Sequence, residues 1–125
     1  MRSVAVTNAK GGVGKSTTAI NMAAALVELD CRVLLVDADP SGNAALGYFP
    51  RGAPAVGLAD ALLEGSGLAD VAVATEYPGL DVVPPGDRLG NCSDQMGGVQ
   101  GLGQGREVRV RRLMRGLTAY DVVIF

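Results

Sequence analysis

An α/β fold, with a mostly parallel sheet flanked by helices, is predicted by three features of the 125-residue sequence. Short runs rich in Val, Leu and Ile recur at Val4–Val6, Arg32–Asp37, Leu80–Val83 and Tyr120–Phe125, as expected of parallel strands buried on both faces. Stretches of helical period separate them. Hydrophobic residues make up 48% of the chain and aromatics only 4%, so the core is expected to be built from Val, Leu and Ala. The length is one domain's worth, yet short for a complete doubly wound domain.

The first strand, Val4–Val6, leads into Thr7–Thr18, TNAKGGVGKSTT. Gly11, Gly12 and Gly14 carry no Cβ to hold the backbone away from a bulky anion, so successive N–H groups can turn inward around a phosphate. Lys15 then supplies a point charge for the β- and γ-phosphates and Ser16 a hydroxyl for Mg²⁺, the order that a P-loop requires. Ser16–Leu29 reads as the following helix, whose N-terminus adds roughly half a positive charge beneath the phosphates. Ala19, Met22, Ala23 and Leu26, with Leu29 or Ala25, form the stripe expected to face the sheet.

Asp30 and Cys31 connect to Arg32–Asp37, RVLLVD, a second parallel strand ending in an acid. Ligand groups in open α/β sheets gather beyond the carboxyl ends of the strands, so Asp37 and Asp39 are expected close to the phosphate loop. The same residues also suit an ordinary turn, since Asp-Pro and Ser-Gly-Asn are common loop chemistry. Ala44–Ala55, small and without period, reads as a surface loop. Gly57–Leu63 reads as a short amphipathic helix and Leu68–Thr75 as a second short apolar segment. Leu80–Val83 is a third strand, closed by Pro84, Pro85 and Gly86, which cannot continue a ladder.

Gly90–Gly105 holds six glycines and reads as a loop or flexible insertion. Arg106–Leu117 is expected to be a helix with Val110, Leu113, Met114 and Leu117 on one stripe. Five of the nine arginines fall in it, forming either a solvated face or a phosphate-contacting one. Tyr120–Phe125 is the fourth strand, and no internal repeat organises the chain.

The formal net charge of −2 argues against nucleic-acid binding through overall positive charge. Cys31 and Cys92 are too few and too far apart for a disulfide framework or a zinc site, which fits a reducing compartment. The longest apolar run, Met22–Val27, is far below a membrane span, and no apolar signal region precedes the first strand. A cytoplasmic protein without membrane contact is expected.

The loop departs from the general P-loop pattern at Ala9, where a glycine is usual, and adds Lys10. In this KGGVGKST resembles the deviant Walker A motif of the ParA/MinD family of partition and positioning ATPases, with Lys10 in the place of the signature lysine. Lys10 and Lys15 are the only lysines in the chain. Asp37-Ala38-Asp39-Pro40-Ser41-Gly42-Asn43 resembles the family's second motif, with Ser41 where glutamine is usual, and PGLDVVPPGDRL resembles a further family stretch. The nitrogenase iron protein, a relative with the same loop, bridges its cluster with two cysteines after the second motif. Only Cys92 lies there, and it reads as a plain reduced cysteine.

The resemblance covers Ser3–Phe125, apart from the glycine-rich stretch, and implies a P-loop NTPase fold binding ATP, rather than GTP, with Mg²⁺. By it, Lys10, Gly11, Gly12, Val13, Gly14, Lys15, Ser16 and Thr17 bind the nucleotide, Ser16 and Asp37 serve Mg²⁺ and its hydration shell, and Asp39 orients the attacking water. Lys10, Lys15 and Asp39 are the implied catalytic set. The resemblance further implies an ATP-bound homodimer in which Lys10 of one subunit reaches the phosphates of the other. A ParB-like protein would stimulate hydrolysis and release the dimer from nonspecific DNA, contacted mostly through regions outside these residues, in a nucleoid-associated protein.

In the family a Walker B aspartate follows the fourth strand, at what would be the position after Phe125. Residues 1–125 are therefore read as the N-terminal portion of a P-loop domain, with weak or no turnover alone. The alternatives are a nucleotide-binding module that does not cycle and a MinD-like positioning regulator, which would need a C-terminal amphipathic helix.

Overall fold

A computed structural model describes residues 1–6, 15–39, 42–49, 52, 54–87 and 112–125. Their strands form one five-stranded sheet, β1 (Arg2–Val4), β2 (Val33–Val36), β3 (Val73–Ala74), β4 (Leu80–Val83) and β5 (Val122–Ile124), in the order β1-β5-β2-β4-β3. All neighbours are parallel except β3, which runs antiparallel to β4. The expected α/β architecture is thus present.

Alternation along β2 sorts the core into two layers. Val33 and Leu35 pack with Ala19 and Ala23 of α1 (Lys15–Glu28) and Ala45 of α2 (Asn43–Leu46). Leu34 and Val36 pack on the opposite face with Leu58 of α3 (Leu58–Glu64), Leu68 of α4 (Leu68–Val71) and Leu117. All four β2 residues are at most 2% exposed, as a central strand covered on both sides requires.

Several boundaries differ from the sequence reading, each for a physical reason. β1 begins at Arg2, and its residues are exposed or half-buried because among the described strands it pairs only with β5. The ladder nonetheless runs on through the expected stretch, since Phe125 N–H donates to Val4 O and Val6 N–H to Phe125 O. Leu29 is 73% exposed and Ala25 is exposed too, so the buried side of α1 consists of Ala19 and Ala23 flanked by Ile20, Met22, Leu26 and Val27. The helix stops there because Asp30 adopts φ 61°: its N–H bonds Val27 O while Cys31 N–H bonds Leu26 O, a Schellman closure.

Residues 44–46, read as the start of a loop, belong instead to α2, with Ala44 and Ala45 buried. The segment 68–75 divides into α4 and the two-residue β3. Arg106–Arg111 lie outside the described residues, but the end of the expected helix does not: Gly116 at φ 76° breaks it, and Leu117–Ala119 form a 3₁₀ turn. Leu113, Met114 and Leu117 still pack on the sheet as the stripe predicts. A repeat that escaped the sequence reading starts α3 and α4, Gly57-Leu58-Ala59-Asp60 and Gly67-Leu68-Ala69-Asp70. In both, the aspartate Oδ2 accepts the glycine N–H, at 2.7 Å and 2.9 Å, and the leucine is buried on the same face of the sheet.

Candidate nucleotide-binding site

α1 descends between the ends of the sheet: Ile20 lies beside Gly47, after α2, while Val27 lies beside Gly79, just before β4 begins. The start of α1 therefore stands at the carboxyl ends of the parallel strands, where its N-terminal dipole favours an anion. Lys15 is the first residue of the helix, and Thr17 is exposed in its first turn. Lys10, Gly11, Gly12, Val13 and Gly14 lie outside the described residues, as do the side chains of Lys15 and Ser16.

Asp37 follows β2 directly and continues its ladder, its N–H donating to Val83 O at 2.9 Å. Strand alternation turns the side chain to the α1 and α2 face, where it is 4% exposed. Its two oxygens organise the segment that follows: Oδ1 accepts Asp39 N–H at 3.0 Å and Oδ2 accepts Ala45 N–H at 2.9 Å. A short helix thus gains a partner for one of its orphan donors from eight residues upstream. Gly42, at φ 67°, makes the turn between the two bonds, its N–H donating to Asp39 O at 2.9 Å and its carbonyl accepting Leu46 N–H at 2.9 Å.

Burial raises the Asp37 pKa above the usual 3.8; the N–H bonds from Ala45 and Asp39 pull it back, and the neighbouring Asp39 charge pushes it up again. Asp39 itself is exposed at the strand's end. One buried carboxylate therefore shapes a loop that presents a second to solvent.

The donor chemistry fits a hard divalent cation. Asp37 is a buried carboxylate, an oxygen donor of the hard kind, and a nearby cation would relieve the burial of its charge. Among the described residues no group of three or more His, Cys, Asp or Glu side chains could hold a metal by itself.

The link between this loop and the turn that closes β4 escaped the sequence reading. Pro85 lies beside Gly42, its Cγ 3.4 Å from where a Cβ on that glycine would stand. The Pro84 and Pro85 carbonyls accept Leu58 N–H at 2.8 Å and Ala59 N–H at 3.0 Å, so α3 begins on the turn that closes β4. The repeated GLAD tetrads were the available signal.

An AAA domain family model matches residues 1–125, the whole chain. The chain belongs to this ParA/MinD-type family. Over 98 residues, 78% of the chain, it is 45% identical to the chromosome partitioning protein ParA of Caulobacter vibrioides, covering 37% of that protein. Over 123 residues, 97% of the chain, it is 37% identical to the sporulation initiation inhibitor protein Soj of Bacillus subtilis, covering 47%. The chain thus spans less than half the length of these curated ParA/MinD-type relatives. Among solved structures, cobyrinic acid a,c-diamide synthase from Mycobacterium smegmatis with a bound ATP analog and magnesium superposes with a TM-score of 0.83 at 34% identity, over 99% of this chain and 50% of that one. No described helix is long and apolar enough to cross a membrane.

Proposed function

We propose that these residues carry the nucleotide site of a Mg²⁺-dependent, ParA-type ATPase that dimerises on ATP and acts in DNA segregation. The observation that carries the reading is the Asp37 clamp, which presents Asp39 at the carboxyl end of β2, the end of the sheet where α1 begins. Residues 1–125 would form part of one P-loop domain, with 90–105 as a glycine-rich loop.

In this reading, Gly11, Gly12, Val13, Gly14, Lys15, Ser16 and Thr17 cradle the phosphates, and Lys10 reaches those of a second subunit. Ser16 and Asp37 would hold Mg²⁺ and its hydration shell, and the chemistry so supplied would be neutralisation of charge on the phosphates. Asp39 orients the attacking water, so that positioning and charge neutralisation supply the catalysis. The M. smegmatis likeness, with its nucleotide and magnesium, supports the cofactors, and the ParA and Soj relatives support the partition role. A ParB-like activator, nonspecific DNA and a cytoplasmic, nucleoid-associated location complete the proposal.

Phosphate release by the full-length protein tests it. Mg²⁺-dependent release is expected to disappear in Lys15→Ala with loss of ATP binding, and in Asp39→Ala with the ATP dimer retained. Wild-type turnover in Asp39→Ala would mean that another group orients the water. Lys10→Ala is expected to bind ATP but not to dimerise. A protein that binds ATP without any release would instead be a non-cycling nucleotide module.

A further inference from the structure

The turn Pro84–Gly86 holds the start of α3 and follows Val83, whose carbonyl accepts Asp37 N–H, so it lies between α3 and the segment that carries Asp39. On one side, Val83 O, just before the turn, accepts Asp37 N–H at 2.9 Å, Pro85 Cγ stands 3.4 Å from where a Gly42 Cβ would be, and Gly42 N–H holds Asp39 O. On the other, the first turn of α3 rests on the Pro84 and Pro85 carbonyls, and Asp87 N–H donates to Ala55 O at 2.9 Å. The start of that helix is fixed by Asp60, 8% exposed, whose Oδ2 accepts Gly57 N–H at 2.7 Å. A Cβ on Gly86 would come 3.0 Å from the same Asp60 oxygen, so carboxylate and turn are in close register.

We propose that Asp60 is a positioning residue for the phosphoryl transfer read above, acting through Gly57 and the Pro84–Gly86 turn on the segment Asp37–Gly42 that places Asp39. This inference rests on the ATPase reading for its consequence, but the mechanical chain stands on the geometry alone. Val83, which the turn follows directly, accepts Asp37 N–H at 2.9 Å, and Asp37 Oδ1 in turn accepts Asp39 N–H at 3.0 Å, so a shift of the turn passes to the backbone that places Asp39. A displacement on the order of 1 Å at a catalytic group is enough to cost substantial rate.

The test compares Asp60→Ala, Asp60→Asn and Pro85→Ala in the full-length protein, by Mg·ATP turnover and by amide hydrogen exchange. In Asp60→Ala kcat is expected to fall about tenfold with KM changed by less than about twofold. Asp60→Asn, whose amide oxygen can still accept Gly57 N–H, is expected to recover most of that loss. Exchange at Gly42, Ala45 and Leu46 should quicken in Asp60→Ala, and also in Pro85→Ala, which keeps the Asp60 bond and removes the ring. Wild-type kcat in folded Asp60→Ala, or faster exchange confined to residues 57–61, overturns the proposal. If the wild type hydrolyses no ATP, the ATPase reading fails, and the exchange comparison alone decides this one. If Asp60→Ala does not fold, unchanged exchange at Gly42 in Pro85→Ala overturns it, and faster exchange there supports it.

Discussion

The Tyr120 hydroxyl donates a 2.6 Å hydrogen bond to Asp81 Oδ2, tying the entry of β5 to β4 across the intervening β2. Burial, then the bond to Asp81 and its charge, push the Tyr120 pKa from 10.0 up to about 12, with Arg32 opposing. Tyr120→Phe is expected to cost about 1–2 kcal/mol by urea denaturation at neutral pH. The folded chain keeps this proton where the unfolded chain loses it. The stabilisation is therefore whole below pH 10.0 and lost as the pH rises towards about 12. An alkaline series that leaves the gap between wild type and Tyr120→Phe constant would contradict the assignment.

Asp37→Ala removes the acceptor of the Asp39 and Ala45 N–H groups and is expected to cost about 1–3 kcal/mol. Because burial raises the Asp37 pKa above 3.8, the folded state holds its proton more tightly than the unfolded state does. The Asp37 contribution is then greatest in acid and declines as the pH rises through the raised value. Measured without nucleotide, the stability gap between wild type and Asp37→Ala should narrow from pH 3.8 towards neutrality. A widening gap would show that the hydrogen bonds, and not burial, govern the carboxyl.

At Gly57 a Cβ would be driven into the Pro84 carbonyl. Gly57→Ala is expected to destabilise by about 3 kcal/mol, because α3 must lift from the turn. Circular dichroism melts of this variant and of Gly65→Ala, where strain comes from φ 74° rather than from a backbone clash, separate the two causes. Equal losses would argue against the close approach.

Asp30 occupies the left-handed position that ends α1, a place where glycine avoids the Cβ penalty. Asp30→Gly is expected to stabilise by about 0.5–1 kcal/mol, the left-handed strain relieved less the extra entropy of an unfolded glycine. A lower melting temperature would mean that the aspartate side chain stabilises the turn more than its backbone strains it.

What the sequence makes legible is what local chemistry decides. Arg32–Asp37 and Leu80–Val83 stand out because unbroken apolar runs end at an acid or at paired prolines, and they become β2 and β4. Asp37 and Asp39 stand out because an acid follows a strand, and the structure puts both at that end. α2 is hidden, since its helix depends on a carboxylate outside it. β3 is hidden as well, because two residues become a strand only by pairing with Asp81 and Val82. The helical period of α1 promises Leu29 to the core, but Asp30 turns the chain first.

β5 lies between β1 and β2, so two strands that come early in the chain share a neighbour that comes more than 80 residues after the second of them. Closing that distance brings no reward until β5 arrives, and sheets assembled from such distant pairings fold slowly. During synthesis the apolar edge of β2 must wait, open to other chains, for Val122–Ile124 to emerge. Ribosome-arrested chains that end before Tyr120 should accordingly be cut rapidly by protease within α1 and β2, and chains that carry β5 past the exit tunnel should not.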